Sequence, residues 1–231
     1  MKKNLLLSLI IIGICSCGKK NKGKNGNITA DSIFAKYVKA LGGTDNLRNI
    51  KTSISSKKSY VNGKYFCTTT IYIHYPDKVA IQYDYSNGLH SLIRFDGKEG
   101  TQITPSGQTI KLNQDVESLK QIAYLFPELY YIDNKYTFKI ASENKQDYEI
   151  KISKGKFSTS YFIDKSTFLV TKVKNENSET FTIKDTIISG IEMPYISKTL
   201  VFSYPKDTVV NSYQLYKLNT AINDTVFNTR K

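Results

Sequence analysis

Residues Ser53–Gly88 read SISSKKSYVNGKYFCTTTIYIHYPDKVAIQYDYSNG, and their rhythm decides the fold class. Ser53–Val61 runs into Asn62-Gly63, a dipeptide suited to the positive φ angles of a two-residue hairpin turn. Beyond it Tyr65, Cys67, Thr69, Ile71, Ile73 and Tyr75 fall on one side of an alternating run. Pro76-Asp77 interrupts that run. Val79, Ile81, Tyr83 and Tyr85 then alternate again up to Asn87-Gly88. Short strands joined by tight turns make an antiparallel meander.

The same texture extends outward. Leu89–Phe95 and Thr101–Thr104 follow, separated by Asp96-Gly97 and closed by Pro105-Ser106-Gly107. Later strands are predicted over Tyr136–Ser142, Tyr148–Ser153, Lys156–Ile163, Phe168–Lys174, Glu179–Thr186, Ile196–Tyr204 and Val209–Leu218. About eleven strands are expected in one mainly-β sheet. Helical spacing occurs twice. Thr29 caps a run in which Ile33, Phe34, Tyr37, Val38 and Leu41 share a face, and Gly42-Gly43 ends it. Thr44–Asn49 adds a short turn. In Asn113–Phe126, Val116, Leu119, Ile122, Ala123 and Phe126 form a second stripe, which Pro127 is expected to stop.

Two features suggest a cavity. Leu125–Ile132, LFPELYYI, is more apolar than a bare connection needs to be, so it should pack on something or line something. Several strands are also apolar on both sides: Ile71 and Ile73 against Phe66 and Tyr72, Tyr161 and Ile163 against Phe162. A sheet of this kind is covered on both faces or holds a ligand on one. Ile71, Ile73, Ile81, Tyr83, Phe126 and Tyr161 are the expected lining, suited to a lipid or another amphipathic ligand.

Composition narrows the chemistry. With 33 basic and 20 acidic residues the net charge is +13, but the only arginines are Arg48, Arg94 and Arg230. Scattered lysines do not reproduce the planar fork that reads bases and phosphates, so nucleic acid is not an expected partner. The only histidines are His74 and His90, on or beside neighbouring strands where they could approach each other. There is no HExxH, no cysteine pair at metal spacing, no GxSxG elbow and no phosphate-cradling glycine loop. Asp77 and Asp96 fall in turns. No catalytic residue, metal or cofactor is therefore expected, and lone Cys67 reads as a buried small hydrophobe.

The N-terminus carries an address. Met1-Lys2-Lys3 precedes the apolar run Leu5–Ile14, which is shorter than the ~20 residues a transmembrane helix needs. Ile14-Cys15-Ser16-Cys17 resembles a bacterial lipobox, which implies cleavage before Cys17 and lipidation of Cys17. Cys15 fits less well because Ile14 precedes it. The expected organisation is a signal peptide over 1–16, a flexible lysine-rich tether over 17–28 and a single domain over 29–231. GKKNKGKNGN in the tether is too polar to fold. Its lysines beside a lipid would give the two signals of stable membrane anchoring.

Three further stretches carry a family resemblance. They are Tyr37–Gly43 (YVKALGG) with Leu47 and Ile50-Lys51-Thr52, then Phe162–Phe168 (FIDKSTF), then Lys217-Leu218-Asn219 with Ile222-Asn223-Asp224 and Phe227. Together they resemble outer-membrane lipoprotein-sorting proteins of the LolA/LolB-like type. The resemblance implies an incurved antiparallel sheet, a half-barrel whose apolar concave face is covered by an N-terminal and a mid-chain helix and holds acyl chains. An anchor argues against a freely diffusing carrier and toward the membrane-bound acceptor. The acceptor's protruding apolar loop would fall at Ile103-Thr104-Pro105 or Leu125-Phe126-Pro127. No aspartate follows Cys17, which by the same resemblance favours the outer membrane, facing the periplasm. The expected role is non-catalytic binding of a lipid or of lipoprotein acyl chains. The alternative is a scaffold subunit of an outer-membrane complex, bound to other envelope proteins.

Overall fold

The computed structural model describes residues 28–113, 116–202 and 207–229. The expected signal peptide, Cys17, the tether up to Asn27 and the Pro205-Lys206 turn lie outside the described residues.

Helix α1 (Ala30–Leu41) begins with a capping box. The Ser32 N–H donates to Thr29 Oγ1 at 3.2 Å, and the Thr29 N–H donates to Ser32 Oγ at 3.1 Å. Its buried face is Ile33, Phe34, Tyr37 and Val38. Gly42 ends it at φ +146°, and a Cβ there would meet the Gly190 carbonyl oxygen at 3.1 Å. Only glycine allows that approach. Helix α2 (Thr44–Asn49) follows and buries Leu47.

A meander then runs through β1 (Thr52–Val61), β2 (Lys64–His74), β3 (Lys78–Tyr85), β4 (His90–Phe95), β5 (Gly100–Ile103) and β6 (Thr109–Lys111). Asn62 and Gly63 take φ +49° and +82° at the first hairpin, as the dipeptide predicts. Helices α3 (Val116–Ala123) and α4 (Pro127–Asp133) come next. The second meander is β7 (Thr137–Glu143), β8 (Asp147–Lys154), β9 (Phe157–Asp164), β10 (Val170–Lys174), β11 (Ser178–Ile188), β12 (Ile191–Val201) and β13 (Asp207–Leu218). A 3-10 turn at Asp224–Phe227 closes the described chain.

All strands join one antiparallel sheet in the order β6-β5-β4-β3-β2-β1-β13-β12-β11-β10-β9-β8-β7. The first and last strands therefore pair at its centre, while β6 and β7 are the two edges. The segment α3–α4 carries the chain between those edges. A sheet this wide curls rather than staying flat, and with its edges unpaired it forms an open half-barrel, not a closed barrel.

The count is thirteen strands rather than about eleven. Strand β6 has three residues, too few to show a period. The β11–β12 hairpin runs through residues 187–195, which the sequence reading left unassigned. Pro194 sits inside β12, where the register with β11 shifts between Lys184 and Asp185. A second correction concerns Pro127. It does not only stop a helix: it opens α4 at the first helical position, where a missing N–H costs nothing.

Two cores lie on the helix-bearing face. In one, α1 and α4 pack over Ile150, Ile152 and Ile163 of β8 and β9. In the other, Leu119 and Ala123 of α3 pack on Val79, Ile81 and Phe95. Gly100 makes room for α3, since a Cβ there would stand 2.6 Å from Leu119 Cδ1.

The outer face explains the two-sided strands. Over β3 and β4 the 3-10 turn brings down Phe227, 1% exposed, with its ring 6.5 Å from that of His74. Elsewhere lysines lie on outward aromatics: the Lys172 ammonium is 3.8 Å from the Phe162 ring centre, and Lys184 is 5.3 Å from that of Tyr195. The two histidines do not meet. His74 is opposite Lys78 and His90 opposite Asp84, at the two ends of β3 and so about 20 Å apart. Cys67 is buried, as expected of a small hydrophobe.

Candidate functional site

A cavity of about 640 Å³ opens between α1, the α3–α4 corner and the inner face of the sheet. One flank is aliphatic, built from Ile71 and Ile73 of β2 with Ile122, Leu125 and Phe126 above them. The other flank comes from Leu169, Val170 and Val173, at and just before β10. Asp164 shapes the turn that delivers them. Its Oδ1 accepts the N–H groups of Ser166 and Thr167 at 2.9 and 2.8 Å, and both hydroxyls as well. Those bonds favour the ionised carboxyl and hold its pKa down to about 2. Phe168 then takes φ +58°, which turns the chain back into β10.

The inner end is polar. Tyr37 Oη donates to Glu128 Oε1 at 2.6 Å, linking α1 to the first turn of α4. Glu128 is 5% exposed, and burial raises its pKa although Tyr37 and Tyr161 hydrogen-bond to it. Burial likewise pushes the Tyr37 and Tyr161 hydroxyls up, with the Glu128 charge second. Gln121 Nε2 donates to Tyr131 Oη at 2.8 Å, so α3 joins the same group. Arg48 holds the far end of α4 through Asp133, its Nη1 3.3 Å from Oδ2.

A last wall comes from the centre of the sheet. Tyr213 and Tyr216 of β13 stack with ring centres 5.0 Å apart, and Tyr216 Oη donates to the Pro194 carbonyl at 2.7 Å. Asp185, Glu192 and Met193 of the β11–β12 hairpin complete it. Asp185 is exposed at the rim; partial desolvation raises its pKa, and the Glu192 charge raises it further.

The structure brings Ile71, Ile73, Phe126 and Tyr161 to this cavity and leaves Ile81 and Tyr83 outside it. Ile81 is packed under α3, and Tyr83 is half-buried beside that core, stacked on Tyr85. Helix α3 occupies the space over β3 that alternation alone would leave open. The pair Leu125-Phe126, read as one place for a protruding loop, is turned inward: Phe126 is 5% exposed. Sequence reading missed Glu128, Asp185, Glu192 and Met193. Two signals could have found them: proline followed by glutamate at a helix start, and Ser189-Gly190 as a hairpin turn, with φ +54° and +75°.

Among the described residues no group of three or more His, Cys, Asp or Glu is placed to hold a metal ion. No helix among them is long and apolar enough to cross a membrane.

No protein-family profile matches the chain, and no curated protein matches its sequence. Solved structures do match. A DUF1329 family protein from Desulfovibrio piger superimposes with TM-score 0.62 at 12% identity, covering 87% of this chain and 97% of that one. A LolA superfamily protein from Nitrosomonas europaea gives 0.59 at 12% identity, over 87% and 98%. An outer membrane lipoprotein-sorting protein domain from Vibrio parahaemolyticus gives 0.60 at 10%, over 86% and 97%. With a helix-covered open sheet superimposable on these structures over most of its length, the chain has the LolA-like fold.

Proposed function

We propose that this chain is a lipid-anchored, periplasm-facing protein of the outer membrane that takes a lipid, an acyl chain or another amphipathic ligand into its cavity. It acts by binding, in lipoprotein or lipid trafficking, and not by catalysis. The observation that carries this reading is the cavity: about 640 Å³, open to solvent, and aliphatic on both flanks. Its size lies within the range of about 300–1,000 Å³ usual for ligand sites. The LolA-like fold supports the reading, as does the lipobox-like Ile14–Cys17 at the start of the chain.

Burying a methylene contributes about 0.8 kcal/mol. Ten such groups contribute about 8 kcal/mol, enough for binding near the micromolar range. The test is titration with uncharged acyl probes of graded length. Saturable binding that strengthens by roughly tenfold for every two methylenes agrees with the reading. Affinity independent of chain length argues against it.

A scaffold role has one observation in its favour. Ile183 and Ile187 of β11 are large apolar residues standing 59% and 69% exposed. Under that reading, replacing both with serine abolishes capture of an envelope partner and leaves acyl binding intact.

A further inference from the structure

The charge of the cavity runs against that of the chain. With 33 basic residues in the sequence, none of the residues lining the cavity is Lys, Arg or His, while three carboxylates line it: Glu128, Asp185 and Glu192. Glu128 lies deep, bonded to Tyr37, and burial disfavours its charged form. Asp185 and Glu192 line the same wall as diagonal neighbours on the β11–β12 hairpin, Asp185 opposite Pro194 and Glu192 opposite Ile187. Among the described residues neither has a salt-bridge partner. Three lysines of the surrounding elements lie over aromatic rings: Lys184 over Tyr195, Lys57 over Tyr213 and Lys36 over Phe168.

Two like charges side by side without a cation disfavour one another, and a cation brought to them relieves that cost. The aliphatic flank at Ile71, Ile73 and Leu125 is separated from this acidic wall by β1 and β13. The acidic wall lies between that flank and the aliphatic flank of Leu169, Val170 and Val173, with Asp185 exposed at the rim, so an amphiphile can lay its chain on an apolar flank and its head at the rim.

On the reading that the cavity binds an amphiphile, we propose that it selects ligands with a positively charged, amine-bearing head group. The head lies against Asp185 and Glu192 and the chain against Ile71 and Ile73. Carboxylate, sulfate and phosphate head groups are disfavoured, although the chain as a whole is strongly basic.

The test uses detergent-free full-length protein loaded with an uncharged fluorescent acyl probe. Tetradecylamine, tetradecanol and tetradecanoate, each below its self-association limit, compete for the site. The amine is expected to displace the probe at about fivefold lower concentration than the alcohol, the upper scale of one partly screened ion pair. The carboxylate is expected to be the weakest. In Asp185→Asn/Glu192→Gln the ratio of amine to alcohol falls to near one, and in the native protein it shrinks as salt rises. Equal displacement by all three, a carboxylate preference, or a ratio unchanged in the double variant overturns the head-group inference and leaves the cavity reading standing. If the uncharged probe does not bind at all, the cavity reading itself fails and the inference with it.

Discussion

Glu128 is the residue whose placement most constrains the site. It follows Pro127 in the first turn of α4, where a negative charge suits the helix dipole, yet it is buried and accepts a bond from Tyr37. Its pKa is raised by burial above the ordinary 4.5. Below pH 4.5 the carboxyl is protonated in folded and unfolded chains alike, and it costs nothing. As pH rises past 4.5 the unfolded chain releases this proton first, so stability declines until the folded value is passed. Glu128→Gln removes that decline. The melting temperature of the variant is expected to gain on the parent as pH rises above 4.5; an offset that does not change with pH contradicts the assignment. Other site residues were legible from spacing alone: Ile71 and Ile73 by alternation, and Phe126 by its place in an unusually apolar connection. Glu128 was not, because burial of a first-turn glutamate depends on a partner ninety-one residues away.

At the scale of elements, the covering helices depend on local fit. Helix α3 reaches β3 and β4 only because Gly100 offers no side chain beneath Leu119. Gly100→Val forces Leu119 outward, and overpacking of this kind costs about 2 kcal/mol. For a domain of this size that is a fall of several degrees in melting temperature. Adding Leu119→Ala should recover part of the loss, and no recovery would place the strain elsewhere. Helix α1 and the first hairpin were legible because Thr29, Gly42 and Asn62-Gly63 state their own boundaries. The turn of the β11–β12 hairpin was not legible, because register shifts on both sides of Lys184 break the alternation that leads into it. With that turn went Glu192 and Met193, while Asp185 fell inside the expected strand Glu179–Thr186 with nothing in its spacing to mark it as part of a cavity wall.

For the molecule as a whole, the decisive contact is the pairing of β1 with β13, the first and last strands of the chain, at the centre of the sheet. Alternation reveals that strands exist; it does not reveal that the first and last share the centre, because that pairing is non-local. It was the family resemblance in Tyr37–Gly43 and Phe162–Phe168, not periodicity, that pointed to a half-barrel. The proposed anchor is likewise a whole-molecule property. Cys17→Ala is expected to move the protein from the membrane fraction to the soluble fraction; retention on membranes would contradict lipidation at Cys17. The central claim is that the cavity between α1, α3 and the sheet accepts an acyl chain. Val173→Trp places a large ring in that space, on the β10 flank. The most direct measurement is titration of an uncharged acyl probe into the native protein and into this variant. The account predicts saturable one-to-one binding to the native protein and a loss of about tenfold or more in the filled variant, with the fold retained. Equal binding by both proteins, or no saturable binding by either, would contradict it.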